Sequence, residues 1–400
     1  MEPVRTAVVG AGTMGMDIAE ILALAGCDVV LQSRRAEARE RFLATLARHY
    51  ERQVKRGRLA AEAKAVELER ARVTGDFEGF GDRQIVIEAV EEDASVKAQV
   101  LARLEEVSPP AALIASTTSS LAIAGIAAAA SRPERVIGLH FFNPARFVRL
   151  VEVVSTPATT AAGVVEALRF LELIGRVPLR VADGVGFLVN RLLIPATLEG
   201  CRVYSEHAAA PGEIDAACVK WGMLLGPCAM LDLVGLDVGL AICRNCERTL
   251  GPRYRPPPIL ERCVAAGRLG RKSGQGIFAY PHGRPEPDPA LDAIRSEVES
   301  EHGAPRPTRF SVERLLVPLI NEAITCLAEG VATAPAIDLA MMEVVGMPRG
   351  PLAYCRQLGR NGYRALVEGL VGEFGDRFAL RSDLTGSLDD ESPGALAALA

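Results

Sequence analysis

TAVVGAGTMGMDIAEILALAG, Thr6 to Gly26, decides the fold. Its β-branched opening reads as a buried strand, and MGMDIAEILALAG reads as an amphipathic helix closed by Gly26. Between them stands Gly10-Ala-Gly12-Thr13-Met14-Gly15. In a strand–turn–helix unit the first glycine permits the tight turn, and the second lets a pyrophosphate approach the backbone. The third lets helix and strand pack closely, with the helix N-terminus aimed at the phosphates. The stretch therefore predicts a dinucleotide-binding α/β unit.

The next strand, DVVLQS, ends on Ser33-Arg34-Arg35. An acidic residue is usual at that point, where it accepts hydrogen bonds from a ribose 2′-hydroxyl and repels a 2′-phosphate. Serine and arginines do the reverse, so this ending leans the cofactor towards NADP. The alternative, in which Arg34 and Arg35 only begin a solvated helix, leaves NAD as the cofactor.

A charged stretch from Arg34 to Ala71 suits a helical hairpin broken at Gly57. QIVIEAV, ALIAST, VIGLHFF, LVEVVS and VPLRVAD supply further strands up to Asp183. Strands alternating with helices imply a largely parallel, doubly wound sheet over 1–185. Beyond it the strand signals stop, and 186–285 reads as a helical domain. A polar, proline-bearing segment from Pro281 to Pro307 reads as a linker.

The helical pattern then returns. VNRLLIPATLEGCRVYSEHAAAPGEIDAA from Val189 matches VERLLVPLINEAITCLAEGVATAPAIDLA from Val312. Arg191 falls on Arg314, Pro195 on Pro318, Glu199 on Glu322 and Asp215 on Asp338, each 123 residues on. Gly226-Pro227 recurs as Gly350-Pro351. The expected architecture is thus a Rossmann-type domain followed by an all-α domain in two tandem copies, the second over 308–400 and degenerate.

Hydrophobic residues make up 49% of the 400 and charged residues 24%, as in soluble globular proteins. A net charge of −5 argues against nucleic-acid binding, because no basic excess exists to displace counterions. Nine scattered cysteines fit a reducing compartment, and Cys243-Arg-Asn-Cys246 lacks the partners a zinc site needs, so no metal is expected. The N-terminal apolar run carries Gly10, Asp17 and Glu20, unlike a secretory signal. No uncharged run approaches the roughly 20 residues of a membrane span. A cytoplasmic protein without membrane partners is expected.

Three segments set polar residues in apolar surroundings: ASTTSSL (115–121), GLHFFNPARFVRLVEVV (138–154) and GVGFLVNRLLIP (184–195). His140 closes an apolar strand and is suited to proton exchange. Glu152 closes another strand and could orient an imidazole. Ser119 and Asn190 could hydrogen-bond a substrate oxygen. Singly, each residue reads more readily as a packed or paired core group than as a site residue.

Together with the glycine turn, these segments resemble the L-3-hydroxyacyl-CoA dehydrogenase family over residues 4 to about 280. The resemblance implies an active site between a Rossmann-type and a helical domain, with His140 as the catalytic base or acid and Glu152 as its partner. Ser119 and Asn190 would contact substrate. Cofactor contacts are implied at Gly10, Gly12, Thr13, Met14, Gly15, Ser33, Arg34, Ala89, Glu92, Lys97, Ser119, Asn143 and Lys272. In RQVKRGR (52–58), Lys55 and Arg56 are candidates for the CoA phosphates, or else a solvated helix face. The implied chemistry is interconversion of a (3S)-3-hydroxyacyl-CoA and its 3-ketoacyl-CoA with NAD or NADP. The same chemistry on a non-CoA hydroxy acid or a carrier-bound acyl group is the alternative, as is a catalytically silent relative.

The chain departs from the family pattern at Ser33, at Thr117 (where the family has Asn), and at Arg146 and Val148 (where it has Pro and Met). If Arg146 lines the acyl pocket, its charge favours a short or acidic acyl group. The second helical copy has Glu313 where Asn190 stands, so a structural role is expected for it. It would replace a partner's domain in a pseudo-dimer within one chain, and a monomer is then expected.

Overall fold

The computed structural model describes residues 2–385, so 386–400 of the expected second copy lie outside the described residues. The chain forms two compact units, divided between Gly184 and Val185.

The first unit is built on an eight-stranded sheet in the order β3-β2-β1-β4-β5-β6-β7-β8. The strands are β1 (Arg5–Val9), β2 (Asp28–Gln32), β3 (Ala71–Thr74), β4 (Ile85–Glu88), β5 (Leu113–Ser116), β6 (Val136–Phe141), β7 (Leu150–Ser155) and β8 (Val177–Ala182). Every neighbouring pair is parallel except β6 and β7. Helices α1 (Thr13–Leu24), α2 (Ala36–Lys55), α3 (Ala61–Glu69), α4 (Ala94–Val107), α5 (Ile123–Ala127) and α6 (Ala161–Leu173) connect the strands. β1 and β4 run fully buried after their first residues, as strands covered on both faces must. From β1 the chain winds to β2 and β3, then crosses back to β4 on the other side. That reversal opens a crevice at the carboxyl ends of β1 and β4, the usual ligand position in such sheets.

β3 follows directly on the expected helical hairpin, sharing only Ala71 with it, and was not among the expected strands. Ala71-Arg-Val-Thr pairs with β2 as a four-residue edge strand, too short for its alternation to stand apart from the end of a helix. The hairpin itself is α2 and α3, turning at Gly57 with φ 66°.

The second unit is helical: α7 (Val189–Ser205), α8 (Pro211–Trp221), α9 (Pro227–Val234), α10 (Leu236–Leu250), α11 (Pro258–Ala265), α12 (Pro289–His302), α13 (Glu313–Ala328), α14 (Ala334–Val345) and α15 (Pro351–Phe374). The expected linker is a correction: it contains α12, whose Leu291 and Ile294 are buried in the same apolar cluster as Leu198 and Leu260. Asp288 caps α12 and pairs with Arg268, and Asp292 accepts from the Tyr204 hydroxyl. Polar composition concealed two apolar residues at helical spacing.

The two helical segments repeat the same devices. Asp215 accepts from the amides of Cys228 and Ala229 at the start of α9, and Asp338 from Leu352 and Ala353 at the start of α15. A Cβ on Gly226 or Gly350 would come within 2.2 Å of that aspartate, which explains the recurring Gly-Pro. Gly235 (φ 103°) separates α9 from α10, and Gly359 (φ 71°) interrupts α15 in the same place. Helices α7 and α13 pack together and exchange buried ion pairs. Arg191 reaches Glu322 at 2.5 Å, while Arg314 reaches Glu199 at 2.5 Å. Their further partners, Glu329 and Glu206, are both at 2.8 Å. The exchange is that of a two-fold interface, in which residue i meets j and j meets i.

Candidate active site

The antiparallel pairing of β6 and β7 sets His140 directly opposite Glu152. Facing residues on paired strands are close neighbours, which is why a spacing of twelve in sequence becomes a contact. His140 Nδ1 lies 2.6 Å from Glu152 Oε2, and both side chains are buried. On the other side of the ring, Nε2 lies 3.1 Å from Ser119 Oγ. Ser119 sits on the loop after β5, and Phe142 packs its ring edge-on against the imidazole at 4.6 Å. The buried carboxylate favours the tautomer with the proton on Nδ1, which makes Nε2 the acceptor on the Ser119 side of the ring.

The glycine turn has the geometry its sequence implies. Gly10 has φ 100°, and a Cβ there would strike the Ala89 carbonyl at 2.5 Å. A Cβ on Gly15 would strike the Gly10 carbonyl at 2.0 Å, so α1 rests directly on the turn. Gly12 faces open space. The turn, Thr13, Met14, Ser33, Arg34, Arg35, Ala89 and Arg103 belong to the lining of a cleft of ≈ 810 Å³.

Within the Ser33–Arg39 segment the arginines divide their work. Arg39 donates to the Ser33 carbonyl at 2.5 Å, and Arg35 reaches the Ala11 carbonyl at 3.4 Å. Ser33 Oγ accepts from the Arg35 amide, while Arg34 is exposed on the cleft wall.

Lys97 is not among the residues that line the cleft. It is 1% exposed, with Nζ 2.8 Å from Glu88 Oε1 and 3.4 Å from Glu92, so it stands behind the cleft wall rather than on it. Glu92 accepts from the Thr118 hydroxyl, the amides of Ser119 and Ser120, and the Ser120 hydroxyl. Burial opposes its charge, but the Thr118 hydrogen bond, Lys97 and those amides hold Glu92 below the usual carboxylate range. Sequence reasoning passed over Glu88 and Ser116, which are buried in the same network. Their signal was a polar residue closing each of two apolar strands.

Arg146 is held against α1. Its guanidinium pairs with Asp17 and Glu20 of α1, each at 3.1 Å, and both carboxylates are buried. Burial raises Asp17, with Arg146 working against the rise. The charge expected to select an acidic acyl group is therefore already matched within the fold.

Asn143 is exposed on the loop after β6, and Lys55 and Arg56 are exposed at the end of α2. Asn190 lies in the first turn of α7, in the second unit, as does Lys272, paired with Asp237 at 2.6 Å.

The model of the 3-hydroxyacyl-CoA dehydrogenase NAD-binding domain matches residues 5–184, and that of the family's C-terminal domain matches 186–280 and 310–392. The chain belongs to the 3-hydroxyacyl-CoA dehydrogenase family. Among solved structures, 3-hydroxybutyryl-CoA dehydrogenase from Escherichia coli K12 is similar over 97% of this chain and 98% of its own, with 30% identity and a TM-score of 0.83. (S)-3-hydroxybutyryl-CoA dehydrogenase PaaH1 from Ralstonia eutropha matches at 34% identity over 70% of this chain and 99% of its own, with a TM-score of 0.65. The fatty acid oxidation complex subunit alpha of Shewanella baltica is 31% identical over 94% of this chain and 54% of its own length. The chain spans about half the length of the curated relatives it matches. No helix among the described residues is long and apolar enough to cross a membrane.

Proposed function

We propose that the protein interconverts a (3S)-3-hydroxyacyl-CoA and the 3-ketoacyl-CoA, with a short acyl chain and a nicotinamide dinucleotide. The observation that carries this reading is His140, buried between Glu152 and Ser119 on the sheet that also carries the glycine turn. The residues fit the cofactor: Gly12 leaves the open approach a pyrophosphate needs, and the cleft wall offers Ser33 and Arg34 to the ribose. A bound nicotinamide supplies the hydride acceptor or donor for C3. His140 Nε2 takes the hydroxyl proton in oxidation and returns it in reduction. Glu152 holds the ring and stabilises the imidazolium, the service a carboxylate gives a catalytic histidine. Ser119 and Asn190 orient the substrate oxygens.

Short acyl chains are supported by the 3-hydroxybutyryl-CoA names of the Escherichia coli and Ralstonia relatives. Because Arg146 is matched by Asp17 and Glu20, Arg146→Ala is expected to leave the ranking of butyryl, adipyl and long-chain substrates unchanged. Turnover and stability should fall instead. A reordered ranking would return Arg146 to the acyl pocket.

We infer that the second helical segment, expected over 308–400, is a degenerate copy of the first; the family's C-terminal model matching both segments and the exchanged ion pairs of α7 and α13 support this reading.

With acetoacetyl-CoA, NADPH is expected to give at least about tenfold higher kcat/KM than NADH, a difference of about 1.4 kcal/mol. Ser33→Asp with Arg34→Ala should reverse the order. Equal use of both cofactors by the wild type would reduce Arg34 to a solvated residue. No turnover with either would move the substrate to another acyl carrier.

A further inference from the structure

We propose that Glu92 is a positioning residue for the proton-transfer site, acting through Ser119 rather than on the cofactor. The inference rests on the roles given above to His140 and Ser119.

The segment Thr117–Leu121 leaves the carboxyl end of β5 and carries Ser119 towards His140. It has no regular structure of its own until α5 starts at Ile123. Such a loop needs an anchor if one hydroxyl is to hold a fixed place. Four donors of the loop converge on Glu92 Oε1: Thr118 Oγ1 at 2.6 Å, the amides of Ser119 and Ser120 at 2.8 Å, and Ser120 Oγ at 2.9 Å. Hydrogen bonds to an ionised carboxylate are about twice as strong as neutral ones. Thr118 Oγ1 also accepts from the Leu121 amide, so the clamp extends along the loop.

Behind the clamp lies its counter-charge. Lys97 is fully buried and bridges Glu88 and Glu92, with Glu88 in turn accepting from Ser116 Oγ at 2.6 Å and the Val90 amide at 2.7 Å. Ser116 is the last residue of β5, immediately before the loop. The charged pair and the strand end thus fix both the carboxylate and the root of the segment it holds. Ser119 Oγ is left facing His140 Nε2, where a substrate hydroxyl must be received.

Turnover and cofactor affinity of Glu92→Ala, Ser119→Ala and the double variant form the test, with acetoacetyl-CoA and the preferred nicotinamide cofactor. A displacement of about 1 Å in a catalytic group can cost about 10²-fold. Glu92→Ala is therefore expected to lower kcat about 10²-fold, with the cofactor Kd unchanged within about threefold. In the Ser119→Ala background the same substitution should cost less than about threefold, because residues acting as one unit are not additive. Glu92→Gln, which keeps the shape and removes the charge, carries the same cycle if the alanine variant melts early. Equal losses in both backgrounds would overturn the clamp. So would a tenfold weaker cofactor with kcat intact, the mark of a direct cofactor contact. Wild-type turnover by Ser119→Ala would instead remove Ser119 from the site, and the clamp with it. That outcome leaves His140 untouched and is read separately.

Discussion

His140→Gln is expected to lower kcat by about 10³-fold, within the usual range for losing a general acid–base group. The proton of the hydroxyl then has no acceptor at the point where Nε2 stands, and reduction leaves an unprotected alkoxide. Substrate KM and cofactor affinity should change by less than about threefold, because the side chain is buried between Glu152 and Ser119 and contributes little binding surface. Glu152→Gln should cost less, about 10²-fold, since the ring stays packed while the imidazolium loses its counter-charge. Its carboxylate is completely buried opposite His140, so the local field is strong. Turnover of His140→Gln within tenfold of wild type would place the proton acceptor elsewhere. In that case Ser119 and Glu152 would be reduced to packing around a core histidine.

Arg314→Met should produce the largest loss of stability. Arg314 is wholly buried, pairs with Glu199 and Glu206, and stacks over the Phe374 ring at 4.1 Å. Burial raises the Glu199 carboxyl, with Arg377 and Arg314 opposing the rise. Removing Arg314 leaves a buried carboxylate short of counter-charge, and breaking such a pair from one side costs about 3–5 kcal/mol. For a unit of this size that is a fall in Tm of about 10 °C. Arg244→Met is the control: Arg244 is exposed and its partner Glu261 only half-buried, and surface pairs contribute about 0–1 kcal/mol. Calorimetry giving equal shifts for the two variants would show that the α7–α13 seam carries no special energy. A large shift for Arg314→Met alone would make the seam a principal support of the helical unit.

The swapped pairs mark where sequence reading reached its limit. The repeat placed Arg191 with Arg314 and Glu199 with Glu322, but Arg191 and Glu199 lie eight residues apart on one helix, too far along it to touch. Only docking of α7 on α13 gives each arginine its partner. Arg146 shows the same limit. Its departure from the family pattern raised the acyl pocket as one place for it, whereas the fold turns it onto α1. The resemblance implied Glu92 and Lys97 as cofactor contacts, but it gave no sign that donors of the Thr118–Ser120 segment converge on Glu92 or that Lys97 is buried beside Glu88. In the linker, composition masked α12, whose burial depends on residues a hundred positions earlier.

By itself the sequence determined the local elements: three glycines between a strand and a helix, alternating strands and helices, and a repeat at fixed spacing. These follow from backbone sterics and periodicity, which act over a few residues at a time. The pairing of His140 with Glu152 was implied only by the family resemblance, and the antiparallel register of β6 and β7 is what sets the two side chains face to face. The tertiary structure alone decided the partners of the long charged side chains. An arginine or lysine reaches several ångströms in many rotamers, and its choice is made by desolvation when elements distant in the chain close around it.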